Sequence, residues 1–311
     1  MENITVSLTQ AVRIMSHRLA IDSGRSFLLE GPPGVAKTAL VFQLMEKLGR
    51  VLTAVKLASK SPEMLGGYPM HSDDLLKFSK PDWIPTEPGQ ALFIDEVGQC
   101  PIAVQNVIMS AADERKIGEF HLPDDTIVIM AANRASDRAG SVALTTAFRS
   151  RFDCVLEIAP EKNEWLDHAT ANNFHPMVIA AVKSIFDKVL DFDPKIKGGF
   201  LTLRTLEQAS VAMYDYAGDA DNPDLKVCLY SCLGQEHASR LIGFAQTVKS
   251  LPEYDDIITT PMAVEVNVAM AEPIGKIIAS NIRYAHVVKA VRYIRRYPAE
   301  QAAAMLTALP E

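Results

Sequence analysis

The sequence predicts an α/β core, a parallel sheet with helices on both faces, followed by an all-α region. Three observations carry this. SFLLE at 26–30, ALFI at 91–94 and TIVIMAA at 126–132 are continuous apolar runs, without the alternation of a sheet wet on one side. Segments of helical period separate them. After Pro160 the strand signal stops and helical periodicity takes over.

Taken in order, residues 7–22 place Leu8, Val12, Met15 and Leu19 on one face, as an amphipathic helix requires. Residues 26–30 form a short buried strand. A glycine-rich turn follows, then a helix over 37–48 and a strand over 50–57. Residues 58–90 hold Gly66-Gly67 and prolines at 62, 69, 81, 85 and 88, and read as a long loop-rich insertion. The sheet resumes at 91–94. A helix is expected over 101–114 with Pro101 in its first turn, a small hairpin over 116–125, and strands over 126–132 and 154–158. Helices fill 161–250, broken at Asn172-Asn173, at Lys197-Gly198-Gly199 and at 218–223. Pro252, Pro261 and Pro273 interrupt the remainder before one long helix expected over 274–297. Three domains follow: an α/β core over 1–160, an all-α domain over 161–250 and a helical extension over 251–311.

The 311 residues are 48% apolar and 22% charged, enough for more than one core. A net charge of -7 argues against a chain-wide electrostatic grip on nucleic acid, while leaving room for a local basic patch. The opening MENITVSLTQ has no basic-then-apolar leader, and no run of about 18 apolar residues occurs. A cytoplasmic location is expected, where the sequon Asn3-Ile4-Thr5 has no role. Cys100, Cys154, Cys228 and Cys232 form no CxxC pair and have no histidines at metal spacing, so they read as small apolar side chains.

The chemistry concentrates in GPPGVAKT. Gly31, Pro32, Pro33, Gly34, Val35, Ala36, Lys37 and Thr38 lie between a strand and a helix start, where backbone N–H groups and the helix dipole attract phosphate. Lys37 is suited to the β- and γ-phosphates of ATP and the Thr38 hydroxyl to Mg²⁺. Ala36 stands where glycine is usual and is expected to adopt a helical φ. Asp95 ends the apolar strand and is suited to hold Mg²⁺, largely through water, while Glu96 is placed to deprotonate an attacking water. Asn133 ends the next strand and is suited to position that water. Arg149 and Arg151 flank Ser150 before the last strand, and either can serve as an arginine finger toward a neighbouring subunit's γ-phosphate. Arg204 opens a helix of the second domain, from which it can reach the same phosphates.

These residues together resemble an AAA+ ATPase, and within that class the MoxR-related group, which includes proteins encoded by some large lytic phages. GPPGVAKT, LFIDEV, the AAN ending at Asn133, LTTAFRSRF and LTLRTLEQ carry the likeness, over residues 31 to about 210. The resemblance implies a P-loop AAA+ core, a helical lid bearing a second sensor at Arg204, and a ring, usually a hexamer, with ATP at subunit interfaces. It also implies an insertion at 62–81, a hairpin before the first sensor at 116–125, and remodelling of a protein client, often one with a von Willebrand factor A domain. The acidic balance disfavours nucleic acid as the partner, and without a long apolar run no membrane is expected. Rival readings are a nucleic-acid motor or loader on the same core, a small-molecule kinase with a phosphate loop, and a nucleotide-gated scaffold with little turnover. Tyr68, on the Gly66-Gly67 hinge, is either a grip on a polypeptide or a surface cap. Trp83 is expected to pack its loop on the core, and Lys289, Arg292, Arg295 and Arg296 to share one helix face, read as a solvated or interface stripe rather than a nucleic-acid site given the acidic whole.

Overall fold

The computed structural model describes residues 5–57, 61–72, 75–134, 137, 143–193, 195, 199–268 and 271–309. The chain divides into two units, Met1–Leu241 and Ile242–Glu311. In the first, β1 (Thr5–Val6), α1 (Leu8–Ile21), β2 (Ser26–Glu30), α2 (Lys37–Lys47) and β3 (Val51–Lys56) come in succession. Next are α3 (Pro62–Gly66), the antiparallel pair β4 (Pro69–Ser72) and β5 (Leu75–Phe78), β6 (Gln90–Asp95), α4 (Ile102–Ile108) and α5 (Ser110–Asp113). A hairpin of β7 (Lys116–Ile117) and β8 (Phe120–His121) precedes β9 (Ile127–Ala132), α6 (Thr146–Arg149) and β10 (Cys154–Ile158). The described elements that follow are helical: α7 (Lys162–Ala171), α8 (Pro176–Ser184), α9 (Leu203–Asp215) and α10 (Pro223–Lys249), which is kinked at the non-helical Gly234 and within which the two units divide. The expected change near Pro160 is thus a change of architecture inside the first unit. Residues 197 and 198, part of an expected helix break, lie outside the described residues, as do 73 and 74 of the insertion.

Six strands form one parallel sheet in the order β1-β10-β2-β9-β6-β3. Its two faces alternate along each strand. Leu28, Leu92, Ile94, Val128 and Met130 pack against Val104, Ile108 and Ala111 of α4 and α5. Phe27, Leu29, Phe93 and Ile129 pack on the other face, against Met15 and Leu19 of α1 and Leu40 and Leu44 of α2. Both faces are dry, which is why the strands read as unbroken apolar runs. The helix ends are set locally. The Ser7 side chain caps α1, and Thr202 and Thr205 cap α9 reciprocally. Adjacency of β2, β9 and β6 matters most, because register puts Glu30 beside Ala132 and Met130 beside Ile94. Residues 31, 133 and 95–96, far apart in sequence, therefore emerge along one sheet edge.

One strand is added and four expectations are corrected. The two-residue β1 adds an edge strand through Thr5 and Val6 paired with Glu157 and Ile158. The loop expected over 58–90 holds α3 and the β4–β5 pair; Pro69 opens a strand, where its missing N–H is tolerated. The helix expected over 101–114 is two, joined at Met109, where the Ala112 N–H bonds the Met109 carbonyl. In the second unit, which also holds α11 (Tyr254–Thr259), the helix expected over 274–297 is α12 (Ala271–Asn281) and α13 (Val287–Ile294), followed by α14 (Ala299–Thr307). The Asn281 side chain donates to the Ile277 carbonyl at the end of α12. Ile274 and Ile278 then share one core with Ala290, Tyr293, Ile294 and Met305. Arg296 lies past α13 and donates to the carbonyls of Pro261 and Val264, at 2.7 and 2.6 Å, so it leaves the expected basic stripe. Trp83 is buried against the first sheet face, and Tyr68 is 58% exposed.

Candidate nucleotide-binding site

The loop after β2 is shaped by two left-handed residues. Gly34 has φ +75, and a Cβ there would meet the Thr202 hydroxyl at 2.8 Å, so glycine serves both the turn and the close approach of α9. The Arg204 N–H donates to the Gly34 carbonyl across the same contact, at 3.4 Å. Ala36 has φ 66 and ψ 23, not the helical φ expected of it. A left-handed alanine costs about 1–2 kcal/mol. No side chain caps α2, whose first N–H groups face the loop as an anion site.

Lys37 is 8% exposed. Its ammonium donates to the carbonyls of Gly31 and Pro32, at 2.7 and 3.0 Å, and to Asn133 Oδ1 at 3.0 Å. Burial pushes its pKa down to about 8, against the opposing pull of Asp95 and Asp137. Thr38 donates to Asp95 Oδ2 at 2.8 Å. Among the described residues no group of three or more His, Cys, Asp or Glu gathers to hold a metal. A hydroxyl and one carboxylate suit Mg²⁺, which takes one or two protein oxygens and completes its shell with phosphate and water.

Glu96 has φ 59, a strained position for a non-glycine residue at the strand end. Its carboxylate pairs with Lys56 Nζ at 2.9 Å, from the neighbouring strand β3, where register sets Lys56 beside Asp95. The hydrogen bond to Glu96 raises the Lys56 pKa. Sequence reasoning missed Lys56; its signal was a lysine closing the strand beside the acidic one. It also missed Arg134, which donates to Asp137 and Glu157 at 2.9 and 3.0 Å and so pins the residue after Asn133.

The structure separates the two candidate finger arginines. Arg149 pairs with Glu30, the residue before the loop, at 2.8 Å. Burial pushes the Glu30 carboxyl up, while Arg149 pulls it down. Arg151 pairs instead with Asp113 and Glu114, at 2.5 and 3.3 Å, at the end of α5. Arg204 lines a cavity of about 650 Å³ together with Gly34, Ala36 and Thr38. Val12, Trp165, Phe174 and Leu203 give that cavity an apolar wall, which fits a base and sugar beside a phosphate loop. Glu164 of α7, also on the wall, accepts from the Ser7 hydroxyl at 2.6 Å and from the Leu8 and Thr9 N–H groups, occupying the head of α1. Phosphate loop, hydroxyl–carboxylate pair and apolar recess therefore fit a nucleoside triphosphate with Mg²⁺.

Residues 26–152 match the family model of the AAA domain, dynein-related subfamily. This segment, less than half of the chain, is thus similar to an AAA domain. It carries Lys37, Thr38, Asp95, Glu96, Asn133, Arg149 and Arg151, whereas Arg204 and the apolar wall lie outside it. Curated relatives include the Holliday junction branch migration complex subunit RuvB of Streptococcus uberis, 31% identical over 154 residues, 46% of this chain and 40% of that protein. The same subunit of Streptococcus agalactiae is 32% identical over 151 residues, 45% of this chain and 40% of that protein. The chain thus spans about 40% of the length of these relatives. Among solved structures, the Thermotoga maritima RuvB Holliday junction branch migration motor aligns over 91% of this chain and 86% of that one, at 18% identity and a TM-score of 0.44. Among the described residues no helix is long and apolar enough to cross a membrane.

Proposed function

We propose that this chain is an ATP-hydrolysing AAA+ ring subunit of the MoxR-like type, working as a hexamer that remodels a protein client, such as one bearing a von Willebrand factor A domain. One observation carries the reading: Lys37, the Thr38–Asp95 pair, Asn133 and Glu96 meet at the ends of three adjacent parallel strands, beside the cavity. In this reading Lys37 trades its loop carbonyls for phosphate oxygens. Thr38 and Asp95 would hold Mg²⁺, which would supply neutralisation of the triphosphate charge. Glu96 leaves Lys56 and accepts the proton of a water that Asn133 orients. Arg149, tied beside its own loop, serves its own site. Arg151, tied elsewhere, is the finger offered to a neighbour. Residues 161–250 act as the lid, with Arg204 as its sensor, and the Gly34–Thr202 contact supports coupling of lid to loop. Residues 62–81 and 116–125 are the surfaces that push on the client.

The test is the Glu96→Gln protein, sized with and without ATP. Retained nucleotide, lost turnover and an assembly of about six chains are expected; hydrolysis at the normal rate ends the mechanism. A second reading, a nucleic-acid-directed motor in the cytoplasm, draws support from the relatives' description as branch migration subunits. ATPase activity that DNA stimulates, and that salt suppresses steeply, favours it.

A further inference from the structure

The whole charge of -7 belongs to residues 1–241, since the second unit holds seven basic and seven acidic residues. Within that unit the basic residues are not spread evenly. Arg283, Lys289, Arg292, Arg295 and Arg296 fall in one stretch, 283–296, that contains no acid. α13 buries Ala290, Tyr293 and Ile294 in the unit's core. Val288 and Arg292 lie on the exposed side of α13, with Tyr284 in the 3-10 turn before the helix, Arg295 at its C-cap and Lys289 beside them, all of them exposed. Tyr284 is 98% exposed and Val288 72%. Arg283, Lys289, Arg292 and Arg295 have no ion pair among the described residues, whereas Arg296 is spent on backbone carbonyls and His286 shares a hydrogen bond with the Tyr254 hydroxyl.

We propose that this face binds single-stranded nucleic acid, with Arg292, Arg295 and Lys289 on the phosphates and Tyr284 stacked on a base. Lys289 and Arg292 are three residues apart in α13, a rise of roughly 4.5 Å, more than the phosphate step of about 3.4 Å in a stacked strand, so the two cations do not crowd one phosphate. An acidic protein surface would satisfy the cations but leave the bare ring at the head of the face without a partner. A base satisfies both, and aromatic stacking with a basic track is how strands are held without sequence readout. The face deepens the nucleic-acid reading above, yet it lies wholly within the second unit and needs no nucleotide.

The experiment measures fluorescence anisotropy of a labelled oligothymidylate of about 20 nucleotides with the full chain, at several salt concentrations and without ATP. Binding is expected to weaken as salt rises. Tyr284→Ala should weaken it about tenfold with the salt slope unchanged. Arg292→Ala with Arg295→Ala should lower affinity and flatten the slope by about 1.4, two single-strand phosphate contacts. All three side chains are exposed, and an unchanged thermal melt certifies each fold. No binding at low salt overturns the proposal, as does binding that both variants leave intact. Polyglutamate that displaces the strand at equal charge concentration overturns it in favour of an acidic protein partner. ATP turnover measured on the same variants separates failure of this face from failure of the nucleotide site.

Discussion

Raising the pH from about 7 to about 9 should weaken ATP binding roughly tenfold, with Lys37 as the cause. In the free protein burial holds this ammonium at about 8. A triphosphate beside it favours the charged form and lifts the pKa back toward or above its ordinary value of 10.5. Binding therefore takes up a proton wherever the free lysine is neutral. Affinity is fully present below about pH 7 and is lost as pH rises through the free-state value. With a free-state pKa of about 8, some nine-tenths of the lysine is charged at pH 7 and about one-tenth at pH 9. The affinity ratio is then about tenfold, about 1.4 kcal/mol. Titration calorimetry on the Glu96→Gln protein, which holds ATP without turning it over in the proposed mechanism, measures this directly. At about pH 8, buffers of different ionisation enthalpy should report uptake of about half a proton per site. A dissociation constant flat from pH 7 to 9, with no proton uptake, refutes the placement of a desolvated Lys37 under the phosphates. Without nucleotide the sign is opposite. Between about 8 and 10.5 the unfolded chain holds more protons at this position than the folded one, so folding stability contributed here rises with pH.

Two substitutions probe the rest of the site. Lys56→Ala should raise basal ATP turnover up to about fivefold, because the half-exposed ion pair that detains Glu96 is worth at most about 1 kcal/mol; a rate unchanged in steady-state assays makes that pair incidental. Ala36→Gly should stabilise the free protein by up to about 1 kcal/mol by relieving the left-handed alanine, read from the denaturant midpoint at constant slope. Destabilisation of the same size would show that the loop gains more from the stiffer alanine chain than it loses in strain.

What could be read from the sequence followed the reach of each signal. Strands buried on both faces announce themselves as apolar runs, so β2, β6, β9 and β10 were legible, and with them Lys37, Asp95, Glu96 and Asn133 at the strand ends. Two residues of β1 are too few to make a pattern; only their pairing with β10 makes them a strand. The break between α12 and α13 contains neither glycine nor proline, and Ile274 with Ile278, and Ala290 with Ile294, keep helical spacing on either side of it. Periodicity alone does not distinguish one long helix from two that return to the same core. Lys56 and Glu164 were illegible for a related reason. Each acts through a partner about 40 or more than 150 residues away, Glu96 and Ser7, and such pairings exist only once the sheet order and the helical layer are known.

The contacts within the site share one property that bears on how binding would become motion. Lys37 rests on loop carbonyls and Asn133, Thr38 on Asp95, Glu96 on Lys56, and Arg149 on Glu30. Each of these groups already has an internal partner. Ligand contacts therefore come by exchange, and the free energy of binding is the difference between two satisfied networks. A small net affinity then coexists with large local rearrangements. Those rearrangements are not isolated from the helices, because Gly34 touches Thr202 and its carbonyl accepts from the Arg204 N–H. A loop that reshapes around phosphate must move the first turn of α9 or break that contact. With Thr202 and Thr205 locking the turn reciprocally, moving it as a unit costs less than unwinding it, and so the proposed lid follows the loop.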